Sequence, residues 1–388
     1  MLFRSKRGDR LVNDSPKFVL EIEERAATAI QRSQQGVLGV ILFDSTKEQE
    51  IYKFANSLEV LQADWNDKNF KYLKDLAFVG SPYKVVVKRI KTEERTSVNL
   101  SKILHEMENE VDSFVIPEAT ETETDGLISY AKQRHDVERG KVGVDFDQAS
   151  FFIFVASDKN PDHHAIVVND IDEATVNGKK YTKAEFALAI ASLEAGCPIS
   201  RSLTNMKMGF IESCKLPESP GTITKAGKIT VTSLKDDTGL SYYVINRGVT
   251  SFVSPTTTKQ RRFSKIKVVR TLFMVTEDLK KTWDIYKGAN NNIYHRKMAL
   301  INAINAYTDS LMEQGVLDLN YSNTFDIDVS EHKRILMVER NMTREEVDKI
   351  SISEIRRINT IDRVYVKCEE LMPVDAMEDF FGKAIMRS

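Results

Sequence analysis

The stretch TVNGKKYTKAEFALAIASLEAGCP, residues 175–198, predicts a tight hairpin that leads into a helix. Asn177 and Gly178 form a pair preferred in two-residue hairpin turns, because both central positions of such a turn need a positive φ angle. Thr182, followed three residues later by Glu185, gives the pattern of a capping box, in which each side chain bonds to the other residue's backbone N–H. A strand pair and a capped helix therefore follow one another here.

The helix after Thr182 is expected to bury the stripe formed by Phe186, Ile190 and Leu193. Gly196 is expected to end it in the left-handed conformation, and Pro198 prevents its continuation.

Upstream of this stretch, apolar runs alternate with helical patterns. Strands are predicted at 36–43, 84–90, 112–119, 149–157 and 164–170, and helices at 46–61, 67–78, 99–110 and 123–140. Such alternation is typical of a mostly parallel sheet with helices packed on it.

Downstream, the Pro- and Gly-rich residues 216–224 predict a domain boundary. Strands are predicted at 227–234, 240–253 and 263–272, followed by a helix through 297–315 and short helices within 338–359. Leu300, Ile304, Tyr307 and Leu311 recur at the spacing of one helix face, so we expect them to be buried.

Composition excludes several classes of protein. The 388 residues carry a net charge of −2, which favours neither a nucleic-acid binder nor an acidic tail protein. The amino terminus lacks the apolar stretch of a secretory signal, and no window approaches the ~18 apolar residues of a membrane span. Cys197, Cys214 and Cys368 are scattered and odd in number, which favours reduced thiols over a disulfide framework.

No motif for catalysis or for a cofactor is found. Phosphate-binding and nucleophile-elbow patterns are absent, so we predict neither an enzyme nor a cofactor or metal. His163 and His164 are interpreted as a solvent loop rather than a metal site, since adjacent residues of a strand point to opposite faces. The basic run 259–270 is interpreted as a strand with Lys265 and Lys267 in water, with a site for a polyanion or an acidic protein as the alternative.

Both ends of the chain carry apolar strand patterns. Near the start, Phe18, Leu20 and Ile22 alternate with charged residues. Residues 363–386, RVYVKCEELMPVDAMEDFFGKAIM, read as two strands, of which the second is apolar on both faces. Chain termini are usually polar and frayed unless something holds them. The residues that would be buried there are Val374, Met377, Phe380, Phe381 and Ile385.

The order of these segments resembles the tail sheath proteins of contractile phages and of related phage-like bacteriocins and prophage particles of Gram-positive bacteria. The stretches that carry the resemblance include SPKFVLEIEERAATAIQRSQQGVLGVILF, DSFVIPEAT, NGKKYTKAEFALAIASLEAGCPISRSLT, RKMALINAINAYTDSLMEQGVLD and VDAMEDFFGKAIM. Many sheaths also carry a β-rich outer domain in the first half. The short run between the strands at 36–43 and 84–90 leaves no room for one.

The resemblance implies an α/β sandwich domain plus a mixed carboxy-terminal α+β sheath domain, with extended β arms at both ends. The implied parts are an amino-terminal arm (1–25), first core strands (26–43), an α/β outer domain (44–224), the carboxy-terminal sheath domain (225–362), and closing strands with a carboxy-terminal arm (363–388).

The implied function is that of a structural subunit. Subunits would polymerise as hexameric rings around a tail tube, in a metastable extended state, and contract to drive the tube through a cell envelope. The implied partners are other copies of the chain, the tube protein, and the baseplate and tail terminator proteins, with no direct contact to nucleic acid and no membrane insertion. The protein would be located in the tail of a virion or phage-like particle, which is assembled in the host cytoplasm.

The resemblance also implies roles for particular residues. The two arms would add strands to sheets of neighbouring subunits, with Phe18, Leu20 and Ile22 in one arm and the apolar residues of 374–385 in the other. By the same analogy, Arg356 and Arg357 are candidates to face the tube, and the alternative is that they are solvated cations at a helix end. A static tube or baseplate protein and a solitary α/β enzyme remain the other interpretations of the whole chain.

Overall fold

The computed structural model describes residues 36–135, 149–257, 259–288 and 291–381. The chain divides into two units. The first, here called the sheet unit, contains the described residues of 36–277 and 373–381, and the second, the helical unit, contains those of 278–372. The predicted strand around Phe18, Leu20 and Ile22 and the predicted arm residue Ile385 lie outside the described residues.

A seven-stranded sheet forms the centre of the sheet unit, in the order β2–β3–β1–β4–β5–β6–β9. All neighbouring strands in it are parallel except β2 and β3. The strands of this unit are β1 (Val37–Phe43), β2 (Ile51–Phe54), β3 (Lys84–Ile90), β4 (Ser113–Val115), β5 (Phe152–Val155), β6 (Ile166–Asn169), β7 (Ala174–Val176), β8 (Lys179–Tyr181), β9 (Lys228–Ile229), β10 (Val231–Lys235) and β11 (Ser241–Ile245).

Both faces of this sheet are covered, which explains why its strands are apolar throughout. Alternate residues of β5 enter different cores, with Phe152 and Phe154 on one face and Ile153 and Val155 on the other. The helices of the unit are α1 (Asp67–Lys71), α2 (Leu100–Met107), α3 (Glu121–His135), α4 (Lys183–Ala195), α5 (Pro220–Lys225) and the first part of α6 (Ile266–Tyr286). The predicted α/β architecture is confirmed.

The stretch from 175 to 198 folds as predicted in all but its last feature. Asn177 and Gly178 join β7 to β8 with φ angles of 49° and 72°. Thr182 and Glu185 form the capping box at the start of α4. α4 is buried on every side rather than along one stripe, because it packs between the sheet and other elements of the core.

Gly196 is not in the left-handed conformation, so that prediction is wrong. Its φ is −85°, and the reason for glycine is steric. A Cβ on Gly196 would lie 1.7 Å from the carbonyl oxygen of Gly80, and a Cβ on Gly80 would lie 2.0 Å from the carbonyl oxygen of Ser192. The two glycines let the end of α4 and the chain before β3 approach backbone to backbone.

Two predicted elements have the wrong type. Residues 46–61 contain β2 and a single 3₁₀ turn, not a helix, since Tyr52 and Phe54 alternate with exposed residues. Residues 263–272 belong to α6 and the 3₁₀ turn before it, not to a strand, because Ile266 and Val269 enter the core at helical spacing. Lys267 is accordingly buried instead of facing water.

The predicted boundary at 224/225 also differs from the structure, in which the division falls between residues 277 and 278. Residues beyond 225 stay with the sheet unit because β9 extends the main sheet beside β6. β10 and β11 then form an antiparallel pair in the same unit.

The helical unit contains the last part of α6 and the helices α7 (Tyr294–Glu313), α8 (Val329–Glu339), α9 (Arg344–Asp348) and α10 (Ile352–Arg357). It also holds one antiparallel strand pair among its described residues, β12 (Phe325–Ile327) with β13 (Val366–Cys368). The stripe predicted on α7, formed by Leu300, Ile304, Tyr307 and Leu311, is buried as expected. Among the described residues, no helix is long and apolar enough to cross a membrane.

Ile361 occupies a strained position after α10. Its φ is 59°, in the left-handed region that β-branched residues avoid, and its side chain is 70% exposed. Hydrogen bonds hold the strained turn, since Asn292 Nδ2 donates to the carbonyl of Ile361 at 2.8 Å and the Ile361 N–H donates to Asn359 Oδ1 at 2.7 Å.

We therefore expect Ile361→Asn to raise the free energy of unfolding by about 1 kcal/mol, because asparagine tolerates this backbone conformation better. Urea unfolding of the purified chain measures the change. Ile352→Asn is the control, since Ile352 is also exposed but lies at the start of α10 with helical backbone. An equal gain in both variants would contradict the strain argument.

Candidate assembly surface

The carboxy-terminal segment 373–381 presents three large apolar side chains to solvent. Met377 is fully exposed, and Phe380 and Phe381 are each 94% exposed. No strand is assigned from 374 to 381, so the described part of the second predicted closing strand is not paired within the single chain. A strand is defined by pairing, and pairing with another copy stays a prediction.

The side chain of Glu378, in the same segment, is buried instead of exposed. Its side chain is only 5% exposed and lies among two cations and a hydroxyl. Arg247 Nη1 donates to Glu378 Oε2 at 2.9 Å, Lys265 Nζ donates to the same oxygen, and Thr204 Oγ1 donates to Oε1 at 2.6 Å. Asp379 also pairs with Arg247 but is half exposed. The segment is therefore anchored at one residue while its apolar side chains remain in water.

Sequence reasoning missed this anchor. The available signal was the acidic pair Glu378 and Asp379 inside an otherwise apolar run. The partners of Glu378 lie more than 100 positions away in the chain. Nothing in the local pattern identifies them.

The basic run 259–270 makes contacts within the chain. Lys265 binds Glu378, and Arg270 Nη2 donates to the carbonyls of Pro198 at 3.2 Å and Arg201 at 2.8 Å. Lys267 is buried. Three cations of the run are therefore paired or buried within the chain, and no polyanion is needed to explain them.

The helical unit has its own candidate assembly element, the strand pair β12–β13. Phe325 pairs with Cys368 and Ile327 with Val366. Within the described residues no third strand joins the pair, and two strands alone are marginally stable in water. Its outer edges can therefore accept a further strand.

Arg356 and Arg357 are in different situations. Arg356 is part-buried and its guanidinium pairs with Asp326 of β12 at 2.5 Å. Arg357 is exposed, and its guanidinium lies 5.3 Å from the centre of the Tyr294 ring. Of the two predicted tube-facing residues, Arg357 is the one that presents its charge to solvent.

The histidines 163 and 164 are buried, so the interpretation as a solvent loop is wrong. Their ring centres are 4.4 Å apart, and the His135 ring lies 5.9 Å from His163 and 5.7 Å from His164. They pack among aromatic rings because β6 begins at Ile166, two residues after His164, and both histidines enter the core with it. No set of three metal-binding side chains suitable for an ion is found among the described residues.

An open cleft of about 300 Å³ lies at the carboxyl ends of β5 and β6. Ligands often bind at this edge of a parallel sheet. Its lining includes Ser157, Asp158, Asp172 and Lys183 but no histidine or cysteine. Lys183 Nζ donates to Asp170 at 2.6 Å. The lysine of the cleft is therefore engaged by a neighbouring carboxylate.

Glu194 is the buried acid with a near-neutral pKa. Burial raises the pKa of Glu194 to about 7, while the nearby Arg270 guanidinium opposes that rise. Arg270 Nη1 also donates to the carbonyls of Glu194 and Cys197, both at 3.1 Å. The pair joins α6 to the end of α4, which is a sufficient structural role.

Comparison with known proteins shows which class of protein the chain resembles. Residues 258–387 match the phage tail sheath C-terminal domain family. The chain is 27% identical over 372 residues to the tail sheath protein of Clostridium phage phiCD119, with 93% of this chain and 96% of that protein covered.

Solved structures with a similar fold include a sheath tail protein and a chain of a prophage baseplate. The sheath tail protein of Listeria innocua matches with a TM-score of 0.62 and 13% identity, covering 80% of this chain and 93% of that one. A chain of the anti-feeding prophage baseplate matches with a TM-score of 0.64 and 12% identity, covering 92% and 94%. The resemblance to tail sheath proteins is thus confirmed, and the chain is a relative of structural sheath subunits, not of enzymes.

The histidine cluster makes stability depend on pH. Burial, together with positive charge on His163, Lys259 and His135, lowers the pKa of His164 to about 2. Above about pH 6.5 the imidazole is neutral in both the folded and the unfolded chain. As the pH falls below that value, the unfolded chain binds a proton that the folded chain does not, so stability is lost.

From pH 6.5 to pH 5 we expect this histidine to remove about 2 kcal/mol from the free energy of unfolding. Urea unfolding at several pH values measures the slope. His164→Phe should flatten it, because the phenyl ring binds no proton in either state. The same slope in His164→Phe and in the unchanged chain would refute the assignment.

Proposed function

We propose that the chain is the subunit of a contractile tail sheath. Copies polymerise as hexameric rings around a tail tube in a metastable extended state, and contraction drives the tube through the envelope of a target cell. The observation that carries the proposal is the anchored carboxy-terminal segment with exposed Phe380 and Phe381, in a chain related to tail sheath proteins.

The proposed contact between neighbouring copies is strand exchange. The carboxy-terminal arm, with Val374, Met377, Phe380, Phe381 and Ile385, adds a strand to the β12–β13 pair of a neighbouring copy. The amino-terminal arm around Phe18, Leu20 and Ile22 acts in the same way. Such β-augmentation satisfies open strand edges and covers apolar side chains that are costly to leave in water.

Contraction in this proposal uses energy stored in the interfaces between subunits. If each subunit buries on the order of 300 Å² more apolar surface in the contracted state, the gain is ~7 kcal/mol per subunit. No nucleotide is needed for such a step, in keeping with a sequence that carries no phosphate-binding loop.

The proposed partners are other copies of the chain, the tail tube protein, and baseplate and terminator proteins. The α/β part, 44–224, lies on the outer side of the sheath, and the carboxy-terminal part faces the tube. The protein belongs to the tail of a virion or phage-like particle and is assembled in the host cytoplasm.

Replacing both exposed phenylalanines tests strand exchange. We expect Phe380→Ser with Phe381→Ser to abolish polymerisation while the melting temperature stays unchanged, because neither ring packs on its own subunit. Negative-stain microscopy and sedimentation of the purified chain measure assembly.

The matched control is Leu58→Ser, which removes a side chain that is 83% exposed on the sheet unit. It should polymerise normally. Normal sheaths from the double variant would discard the arm model, and tubes that form but never contract would favour a static tube protein instead.

The tube-facing role is tested at Arg357 alone, because reversing Arg356 would also place a carboxylate beside Asp326. Arg357→Glu should prevent assembly on purified tail tubes and leave the fold intact. Lys349→Glu, at an exposed position directly after α9, is the control and should assemble normally. Extended sheaths from Arg357→Glu would reject this residue as a tube contact.

A further inference from the structure

Glu378 is a buried anchor in a segment that otherwise buries little. Its side chain is 5% exposed, between neighbours such as Met377 and Phe380 that lie almost wholly in water. A carboxylate removed from water is costly unless it is paired and hydrogen-bonded. Here both oxygens have partners.

The site that receives Glu378 is held by contacts that do not involve the segment. Thr204 Oγ1 accepts a hydrogen bond from the Gly248 N–H at 2.9 Å, and Val249 and Lys265 form an antiparallel bridge. Arg247 lies two residues after the end of β11, and Lys265 directly precedes α6. The two cations therefore belong to the frame of the sheet unit and lie close together, because both bind the same oxygen of Glu378, whose carboxylate offsets their repulsion.

We propose that Glu378, with Arg247, Lys265 and Thr204, forms an ionic clasp that fixes where the carboxy-terminal arm leaves its own subunit. The inference rests on the proposed function, because it assigns the clasp the role of positioning Phe380 and Phe381 for capture by a neighbouring copy. Glu378 is a positioning residue in this scheme and does not contact the neighbour.

The physical benefit is preorganisation. An arm that leaves the subunit at a fixed point has less conformational freedom to lose when it pairs with a neighbour, so capture is more favourable. Without the clasp the exposed apolar side chains are tethered farther back along the chain and are spread over a larger volume.

The adjacent carboxylate provides a built-in comparison. Asp379 carries the same charge and also pairs with Arg247, but it is 52% exposed and has one charged partner among the described residues. Water and salt screen such a pair, so it contributes little. The clasp should therefore depend on Glu378 and not on Asp379.

The test uses the full chain with Glu378→Gln and, as matched control, Asp379→Asn. Glu378→Gln should speed hydrogen exchange of the amides of residues 374–381 and raise the critical concentration for polymerisation about tenfold, the scale expected when hydrogen bonds to a buried charge are weakened. Asp379→Asn should change both quantities less than threefold on the same scale. Melting temperatures should stay within a few degrees of the unchanged chain.

The outcomes separate the clasp from the arm model. If Glu378→Gln speeds exchange but polymerises like the unchanged chain, or if Asp379→Asn has an equal effect, the clasp inference is overturned while strand exchange stands. If the double phenylalanine variant polymerises normally, the arm model itself fails. Should Glu378→Gln unfold the chain, Lys265→Gln repeats the test with one cation removed, and unchanged polymerisation in that variant would also overturn the clasp.

Discussion

The burial of α4 on all sides is the constraint on which the sheet unit depends. A helix enclosed by protein must have its polar side chains satisfied within the structure. The Glu185 carboxylate accepts a hydrogen bond from the Thr182 N–H in the capping box. It accepts a second one from the Tyr72 hydroxyl at 2.5 Å. Ser192 donates to a backbone carbonyl at 2.8 Å, and Glu194 lies beside Arg270 of α6. These contacts fix α6 and the chain before β3 to one helix, and the sheet lies beneath them.

The sequence was sufficient for most of the fold where local patterns and tertiary packing agree. The apolar runs of β1 and β3, the turn at Asn177 and Gly178 and the cap at Thr182 all lie where predicted. The misassigned elements are those with mixed periodicity. The residues of α6 fit a period of two almost as well as a helical one, and only the position of its core-facing side chains decides between them.

The exposed apolar residues of the carboxy-terminal segment could be predicted from the sequence, but the buried anchor of that segment could not. Exposed apolar residues such as Phe380 are visible in a sequence as a run that a terminus should not contain. Glu378 and its cations are brought together only by the fold, and so are the buried rings of His163 and His164. Contacts between distant segments leave no local periodicity, so the run of residues around each partner gives no sign of them.

The position of Glu378 has a mechanical consequence. The chain passes through residues 278–372 and then rejoins the sheet unit, where Arg247 and Lys265 hold the returning segment. Tension applied to the residues after Glu378 would therefore act first on those ion pairs and pass to the chain beside β11 and at the start of α6. The backbone of the helical unit would carry no tension until the ion pairs broke. A pull on this segment could then be sustained without loading the strand pair β12–β13 of the same chain through the backbone.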